Sequence, residues 1–508
     1  MAANVPSVGV TMVCDDEYDV VVVGSGPNGF GAGITLARAG LKVLMVERNA
    51  TVGGGMRSAE LTLPGFVHDV CSAVHPLAAS SAFFRELPLA RFGLEWVHPE
   101  HCLAHPLDGG RAAVQERDLA ATMAGLGVDG AAWHDVLGWV AEHGNAVFDE
   151  LLGPLSLPPR HPLLLARFGL KALWPAKAVA EHFFATAEGR ALFAGHAAHS
   201  ILPLEKTGTA AVGILLGSGA HHAGWPVAKG GSGSIAAALK GYFEALGGEV
   251  RTGVEVEALE ELPGARAVVF DTGPRAMVEI CGGRLPERYG RRVGRYRYGP
   301  GVFKMDLALS EAIPWQAEGC RGAGTVHVGG TYEEVAASES ACWRGEHAER
   351  PFVLLAQQSV CDGTRAPAGK HTCWAYCHVP HGSEVDMSEA LLGQIERFAP
   401  GFRETILETH VMRCADFQAY NPNYVGGDIV GGVQDLAQQW TRPVARFDPY
   451  STPDEGIFIC SSSTPPGAGV HGMGGYFAAR SVLRRVFGNR GVGRRVHPTA
   501  GGVTDGDG

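Results

Sequence analysis

The sequence predicts an α/β protein in which a Rossmann-like nucleotide-binding domain is assembled from three separated chain segments, with an α+β domain inserted between them. Three observations carry this reading. Residues 19–47 hold an apolar strand, a glycine turn, a helix and a second strand that ends on an acid. Residues 230–274 contain a glycine-opened helix followed by two more strands, and residues 456–480 a short apolar strand, a Gly/Ser/Pro-rich turn and a last helix.

The first unit reads as an ADP-binding βαβ element. Its strand, Val20 to Val23, runs into Gly24-Ser25-Gly26-Pro27-Asn28-Gly29. Gly24 permits the tight turn, Gly26 lets the backbone approach a pyrophosphate, and Gly29 lets the helix pack on the sheet. Pro27 and Asn28 open that helix, whose free N–H groups and partial positive charge suit a diphosphate. The second strand ends on Glu47, placed to accept ribose hydroxyls and to repel a 2′-phosphate. Directly after Glu47-Arg48 comes Val52-Gly53-Gly54-Gly55-Met56-Arg57, a second glycine turn that lets the chain pass beneath a cofactor ring system, with an arginine at hand.

That second turn resembles the Gly-Gly-x-x-Arg signature of the FAD-dependent amine oxidase and phytoene desaturase superfamily. Near the C-terminus, Pro466-Gly467-Ala468-Gly469-Val470-His471-Gly472-Met473 resembles the flavin motif of bacterial-type carotenoid desaturases and their relatives. The resemblance implies FAD as cofactor and a GR2-type FAD domain. It also implies cofactor contacts at Gly24, Gly26, Pro27, Asn28, Gly29, Glu47, Arg48, Gly54, Gly55, Met56 and Arg57, a backbone contact to the adenine at Val256, and a helix starting at Gly472 and Met473 that faces the flavin pyrimidine. A helix N-terminus there favours the reduced, anionic ring. Gly467, Gly469 and Gly472 also fit a dinucleotide fingerprint, but no acid lies between Met473 and Val492 to hold a ribose, so the flavin reading is preferred.

These motifs divide the chain. Residues 15–75, 225–275 and 447–488 are assigned to the FAD domain. Residues 76–224, helical in pattern, and 276–446, with strands at 302–309, 352–357 and 372–379 and a helix at 387–398, are assigned to the substrate domain. Residues 489–508 are expected to be a disordered tail. The 508 residues carry 42 basic and 53 acidic side chains, a formal charge of −11, which argues against a nucleic-acid partner. Eleven scattered cysteines with no Cys-x-x-Cys indicate neither a disulfide framework nor a zinc site, and no metal is expected. A cytoplasmic protein is the expectation.

One segment bears on location. Residues 160–177 interleave Arg160, Arg167, Lys171 and Lys177 with leucine, phenylalanine and tryptophan, without an acid. Such a basic amphipathic helix suits peripheral contact with an anionic membrane surface, or a lid over a substrate tunnel.

Three side chains are candidates for chemistry. Lys304, in Gly299-Pro300-Gly301-Val302-Phe303-Lys304, resembles the lysine that holds a water against flavin N5 in amine oxidases; the alternative is a strand lysine paired with Asp306. His75, which with His68 and Asp69 follows the second glycine turn, and His471, inside the flavin motif, are candidate proton carriers. His196-x-x-His199 and His221-His222 lack further ligands at matching offsets and read as cavity lining or surface.

The resemblance places the chain near the phytoene desaturase-related branch and the pyridine nucleotide-disulfide oxidoreductase domain proteins. The activity it implies is dehydrogenation of a lipophilic or polycyclic small molecule, with hydride to flavin N5 and electrons to dioxygen or a quinone. A flavin amine oxidase is the enzyme alternative, opposed by the absence of an aromatic residue in Gly472-Met473-Gly474-Gly475. A flavin-containing interaction protein with a structural cofactor is the alternative of another class.

Overall fold

The computed structural model describes residues 17–154 and 158–488, so the expected tail at 489–508 lies outside the described residues. A five-stranded parallel sheet lies at the centre of the nucleotide domain, in the order Ile457–Ile459, Ala265–Phe270, Tyr18–Val23, Val43–Glu47, Glu249–Thr252. Strands from all three segments therefore stand side by side, and the predicted assembly is the observed one. The three inner strands are valine-rich and buried on both faces, as a parallel sheet covered by helices requires. Helices Pro27–Arg38 and Met473–Arg485 pack so closely that a Cβ on Gly475 would run into the Asn28 carbonyl. The two motifs, about 450 residues apart in sequence, are thus joined, with Gly474 N–H donating to the Asn28 side-chain oxygen at 3.1 Å, and only glycine at 475 permits that approach.

The second sheet has seven strands, in the order Ile406–Met412, Gly301–Leu309, His371–Val379, Val353–Ala356, Ala323–Val328, His101–Leu107, Arg111–Gln115. The strands expected near 302–309, 352–357 and 372–379 are present, as is the helix Ser388–Phe398. The first insertion is mainly helical, as its pattern indicates, but it also enters this sheet. It contributes two strands, and His101–Leu107 runs parallel to Ala323–Val328. The two insertions therefore share one sheet. Residues 101–107 contain a proline and two histidines and are buried on both faces, so they offer no period-two alternation to read.

The basic segment at 160–177 is also corrected. It forms two helices, Pro162–Ala172 and Ala176–Phe183, broken at Pro175, which stands as N-cap of the second. Leu163 and Leu170 are 84% and 72% exposed, whereas Phe168 and Ala172 are buried. Among the described residues no helix is long and apolar enough to cross a membrane.

Candidate functional site

One cavity of about 1530 Å³ runs from the glycine turns of the first sheet to the face of the second. Its nucleotide end is lined by Gly24, Gly26, Pro27, Asn28, Glu47, Arg48, Gly54, Gly55, Arg57 and Val256, all expected from the sequence. Val256 lies beyond the strand, which ends at Thr252, but the chain keeps its course there because Val254 N–H donates to the Glu47 carbonyl at 2.9 Å. Glu47 closes its own strand with its carboxylate already surrounded by donors. Ser25 Oγ approaches at 2.6 Å, Asn49 N at 2.9 Å and Arg57 Nη2 at 2.9 Å. The acid is thereby held at the ribose position, and Arg57 neutralises it there.

Four expected cofactor contacts do not line the cavity. Gly29 packs against the Gly24 carbonyl under the turn, so its missing side chain serves helix packing. Met56 is fully buried in the core beneath the loop. Gly472, at φ 68°, and Met473 form the start of the last helix, where Gly472 lies against Phe83. They shape the site from behind.

The bare-backbone cradle fits FAD. A Cβ on Gly54 would sit 2.9 Å from Gly26 Cα, so the two glycine turns meet with no side chain between them. The helix N-terminus, the ribose acid and the second glycine turn then follow one another along one wall, as an adenine dinucleotide would.

Asp271, at the end of the strand Ala265–Phe270, has no counterpart among the residues expected from the sequence. It lines the cavity beside the first turn, accepts the Gly29 N–H at 2.8 Å, and its Oδ2 lies 2.5 Å from the position of a Cβ on Gly26. Burial pushes its carboxyl up to about 8, helped by the nearby Glu47 and opposed by the Gly29 and Gly26 amides. The acid next to the diphosphate position is therefore neutral at pH 7. The sequence reads 267–274 as a strand that re-enters beside the cofactor, and the approach of two distant strands shows that this acid is what it brings to the first glycine turn.

The three catalytic candidates separate. His75 lines the cavity with Nε2 2.9 Å from Ser232 Oγ. Ser232 gives its own hydrogen to the Ser72 carbonyl at 2.5 Å, so His75 must donate from Nε2 and keep a lone pair on Nδ1, which has no protein partner among the described residues. Burial lowers this imidazole to about 4, so it is neutral. His471 also lines the cavity, but its Nδ1 accepts Met473 N–H at 3.0 Å and its Nε2 faces the Gly467 carbonyl at 3.2 Å. Both nitrogens are consumed in fixing the flavin-motif turn, which leaves it no means of carrying a proton. Lys304 is 1% exposed, lies off the cavity lining and is ion-paired with Asp306, the paired arrangement foreseen as the alternative. Asp306 is also approached by His68 Nδ1 at 3.7 Å and His410 Nδ1 at 3.6 Å, making one buried polar knot.

The substrate end is walled by the second sheet through Thr325, Leu354, Ala356, Trp374 and Tyr376, with no carboxylate among them. Leu165, Phe168 and Leu173 also line it, so the helix Pro162–Ala172 borders this end of the cavity. His199 is the histidine of the His196-x-x-His199 pair that lines the cavity.

Residues 19–82 match the family model described as FAD dependent oxidoreductase. The chain is 24% identical over 571 residues to pyridine nucleotide-disulfide oxidoreductase domain-containing protein 2 of Rattus norvegicus, covering 92% of this chain and 94% of the relative. It is 25% identical over 547 residues to an uncharacterised protein of Mycobacterium tuberculosis, covering 92% and 97%. Among solved structures, a putrescine oxidase variant superposes with TM-score 0.59 at 16% identity over 92% of this chain and 99% of that one, and an oxidoreductase from Methanosarcina mazei with TM-score 0.58 at 16% identity over the same shares. These likenesses establish the fold.

Proposed function

We propose that this FAD-dependent oxidoreductase dehydrogenates a neutral, lipophilic small molecule, passing the electrons on to dioxygen or a quinone. The observation that supports the reading is the single continuous cavity, which carries nucleotide recognition at one end and an apolar, carboxylate-free sheet wall at the other. FAD, when bound, accepts a hydride at N5. The chain's own residues then have three tasks. Trp374, Tyr376, Phe168 and Leu173 hold the substrate by apolar contact, the lid helix excludes water, and the bare Nδ1 of His75 takes the proton that leaves with the hydride.

The absence of a carboxylate on the sheet wall disfavours an ammonium substrate, the amine oxidase alternative. Exposed Leu163 and Leu170 sit on the outer face of the lid helix, where they suit peripheral contact with a lipid surface. Two of the basic residues are engaged elsewhere: Arg167 stacks 4.2 Å over Trp139, and Lys171 pairs with Asp135 at 2.9 Å. The lid role therefore takes precedence.

The test is anaerobic mixing of the FAD-loaded protein with polyenes, alicyclic alcohols and amines while the absorbance of oxidised flavin is followed. Bleaching by a polyene or alicyclic compound is expected. Bleaching by amines alone would replace this reading with the amine oxidase, and bleaching by none of the three with a structural cofactor.

A further inference from the structure

Of the three arginines buried among the described residues, two meet an acid. Arg57 pairs with Glu47 at 2.9 Å and Arg365 with Asp69 at 2.5 Å. Arg442, 1% exposed and on the cavity lining, has no such partner among the described residues. Its Nη2 reaches Tyr296 Oη at 3.4 Å, while Nε and Nη1 are without any hydrogen-bond partner there. Tyr296 gives its own hydrogen to the Gly431 carbonyl at 2.7 Å, so it offers Arg442 only a neutral oxygen. Asp428 is near enough to feel the arginine's charge, but burial raises its carboxyl, and its oxygens face the amides of Gly299, Val430 and Gly431 at 2.7, 2.9 and 3.1 Å. A guanidinium does not lose its proton in a protein. A cation with open N–H groups therefore stands buried in the cavity wall, which is costly unless an anion arrives.

The sheet order sets which part of the cofactor Arg442 meets. Ligands of open parallel sheets lie across the carboxyl ends of the strands. Here those ends present, strand by strand, Glu47, the first glycine turn, Asp271 and then Ser461 to Ser463, all on the cavity. With the adenosine ribose at Glu47 and the diphosphate at the first turn, the flavin half extends toward the last strand, Ile457–Ile459. Arg442 is fastened to that end. Gly431, which holds Tyr296, packs so closely that a Cβ on it would run into the Ser462 hydroxyl. Gln439, on the helix Leu436–Thr441 just before Arg442, donates to the Pro466 carbonyl at 2.7 Å. A Cβ on Gly467, at φ 115°, would run into Arg442 Nη1. The guanidinium thus lies against the turn whose last residues, Gly472 and Met473, the resemblance places at the flavin pyrimidine.

FAD brings its permanent charges to the first turn, at the other end of the site, and its oxidised ring is neutral. The substrate read above is neutral too. A negative charge appears at the flavin end only when a substrate C–H bond breaks, its hydrogen and electron pair pass to N5, and the second hydrogen leaves as a proton to His75. The ring has then gained two electrons and one proton.

We propose that Arg442 is the charge partner of the flavin ring in its reduced state, unpaired before the hydride arrives and paired after it. An interaction that forms as charge develops lowers the barrier, whereas one made equally before and after does not. The proposal rests on the dehydrogenase reading above and assigns the cation that favours its redox step.

The two-electron potential of bound FAD, measured by anaerobic reduction against a reference dye, tests it without any substrate. In the wild type, reduced FAD should be held at least about tenfold more tightly than oxidised FAD, which sets the bound potential about 30 mV or more above that of free FAD. R442M should lower the potential by about 30 mV or more, again a tenfold change, and R442K, which keeps the charge but not the planar fork, should fall between the two. Oxidised FAD should stay bound in both variants, because its charges are held at the first turn, and the unfolding midpoint confirms that each variant is folded. A wild-type potential at or below that of free FAD overturns the proposal whether or not R442M folds. So does an unchanged potential in folded R442M. In that case loss of oxidised FAD from R442M gives Arg442 to the diphosphate, and loss of benzoate binding, read from the flavin absorbance, gives it to a substrate carboxylate. The dehydrogenase reading is decided separately, by the bleaching with polyenes and alicyclic compounds.

Discussion

Replacing Asp271 by asparagine should stabilise the protein in a pH-dependent way. The carboxyl has an ordinary value of 3.8 and is pushed to about 8, chiefly by burial. Between those values the folded protein holds a proton that the unfolded chain has released. Stability therefore falls as pH rises from about 4 to about 8 and is level above that. Every tenfold difference in proton affinity between the folded and unfolded chain corresponds to about 1.4 kcal/mol, so the ceiling on this cost is roughly 6 kcal/mol, of which about 4 is present at pH 7. The Gly29 amide, which donates to Asp271, already offsets part of the cost of burial in this figure. Asparagine retains an oxygen for that amide and cannot ionise. Urea unfolding of FAD-stripped protein at regular pH steps from about pH 5 to about pH 9 gives the difference between variant and wild type, in which the contributions of all other groups cancel. The difference should grow with pH across the window and reach at least about 1 kcal/mol at pH 7. Parallel profiles would refute the buried neutral acid. FAD affinity offers a second reading of the same proton: in the wild type it should weaken above about pH 8, when a carboxylate forms beside the diphosphate position, and in Asp271→Asn it should not.

Gly26→Val drives a branched side chain into Asp271 Oδ2 and the diphosphate space and should yield protein largely without FAD, measured by the ratio of flavin to protein absorbance. Lys304→Met strands Asp306 without its cation in a buried site and should cost about 3–5 kcal/mol of stability in a urea titration. Reoxidation of any FAD-loaded Lys304→Met by oxygen should stay within a few-fold of wild type; a loss of tenfold or more would return Lys304 to the chemistry. His75, lowered to about 4, should leave kcat/KM without a histidine limb between about pH 5.5 and 8, and a break near 6.5 that vanishes in His75→Gln would contradict its neutral state. NADH should not bleach the flavin rapidly in anaerobic stopped flow, since the five-stranded sheet is the sole parallel sheet of nucleotide-binding type among the described residues.

The cofactor end of the site was legible because its requirements are local. Gly24, Gly26, Gly54 and Gly55 are demanded by backbone turns and close approach, and Glu47 by its place at a strand end; these constraints act within one short stretch of chain and leave a pattern there. Even so, the pattern does not distinguish a glycine that faces the cofactor from one that packs behind it, and Gly29 and Gly472 turned out to be of the second kind. The strands at 301–309 and 371–379 were visible through their composition, whereas 101–107 was hidden by Pro106 and by burial on both faces. The catalytic candidates depended on what each side chain meets, and that is set by pairing over long separations. His471 could be recognised as structural only once Gly467 and Met473 closed around it, and Asp271, on a strand read from the sequence as re-entering beside the cofactor, could be singled out only once its carboxyl was seen to meet the Gly29 amide.

Lys304 is the instructive intermediate. Residues two apart on a strand share a face, so Lys304 and Asp306 were bound to be neighbours from the sequence alone. The spacing named the partner, but not whether the pair would face the cofactor. The register with the strand His371–Val379 sets Tyr376 opposite Lys304 and Trp374 opposite Asp306 on one face of the sheet, and there the two aromatic side chains line the cavity while the ion pair does not. The same non-local placement brings His199, His327 and His105 together from three distant segments. No spacing rule reaches across such distances. His105 donates to the Gly330 carbonyl and His196 to the Gln115 side-chain oxygen, so the hydrogens on both rings are set by groups far from them in sequence.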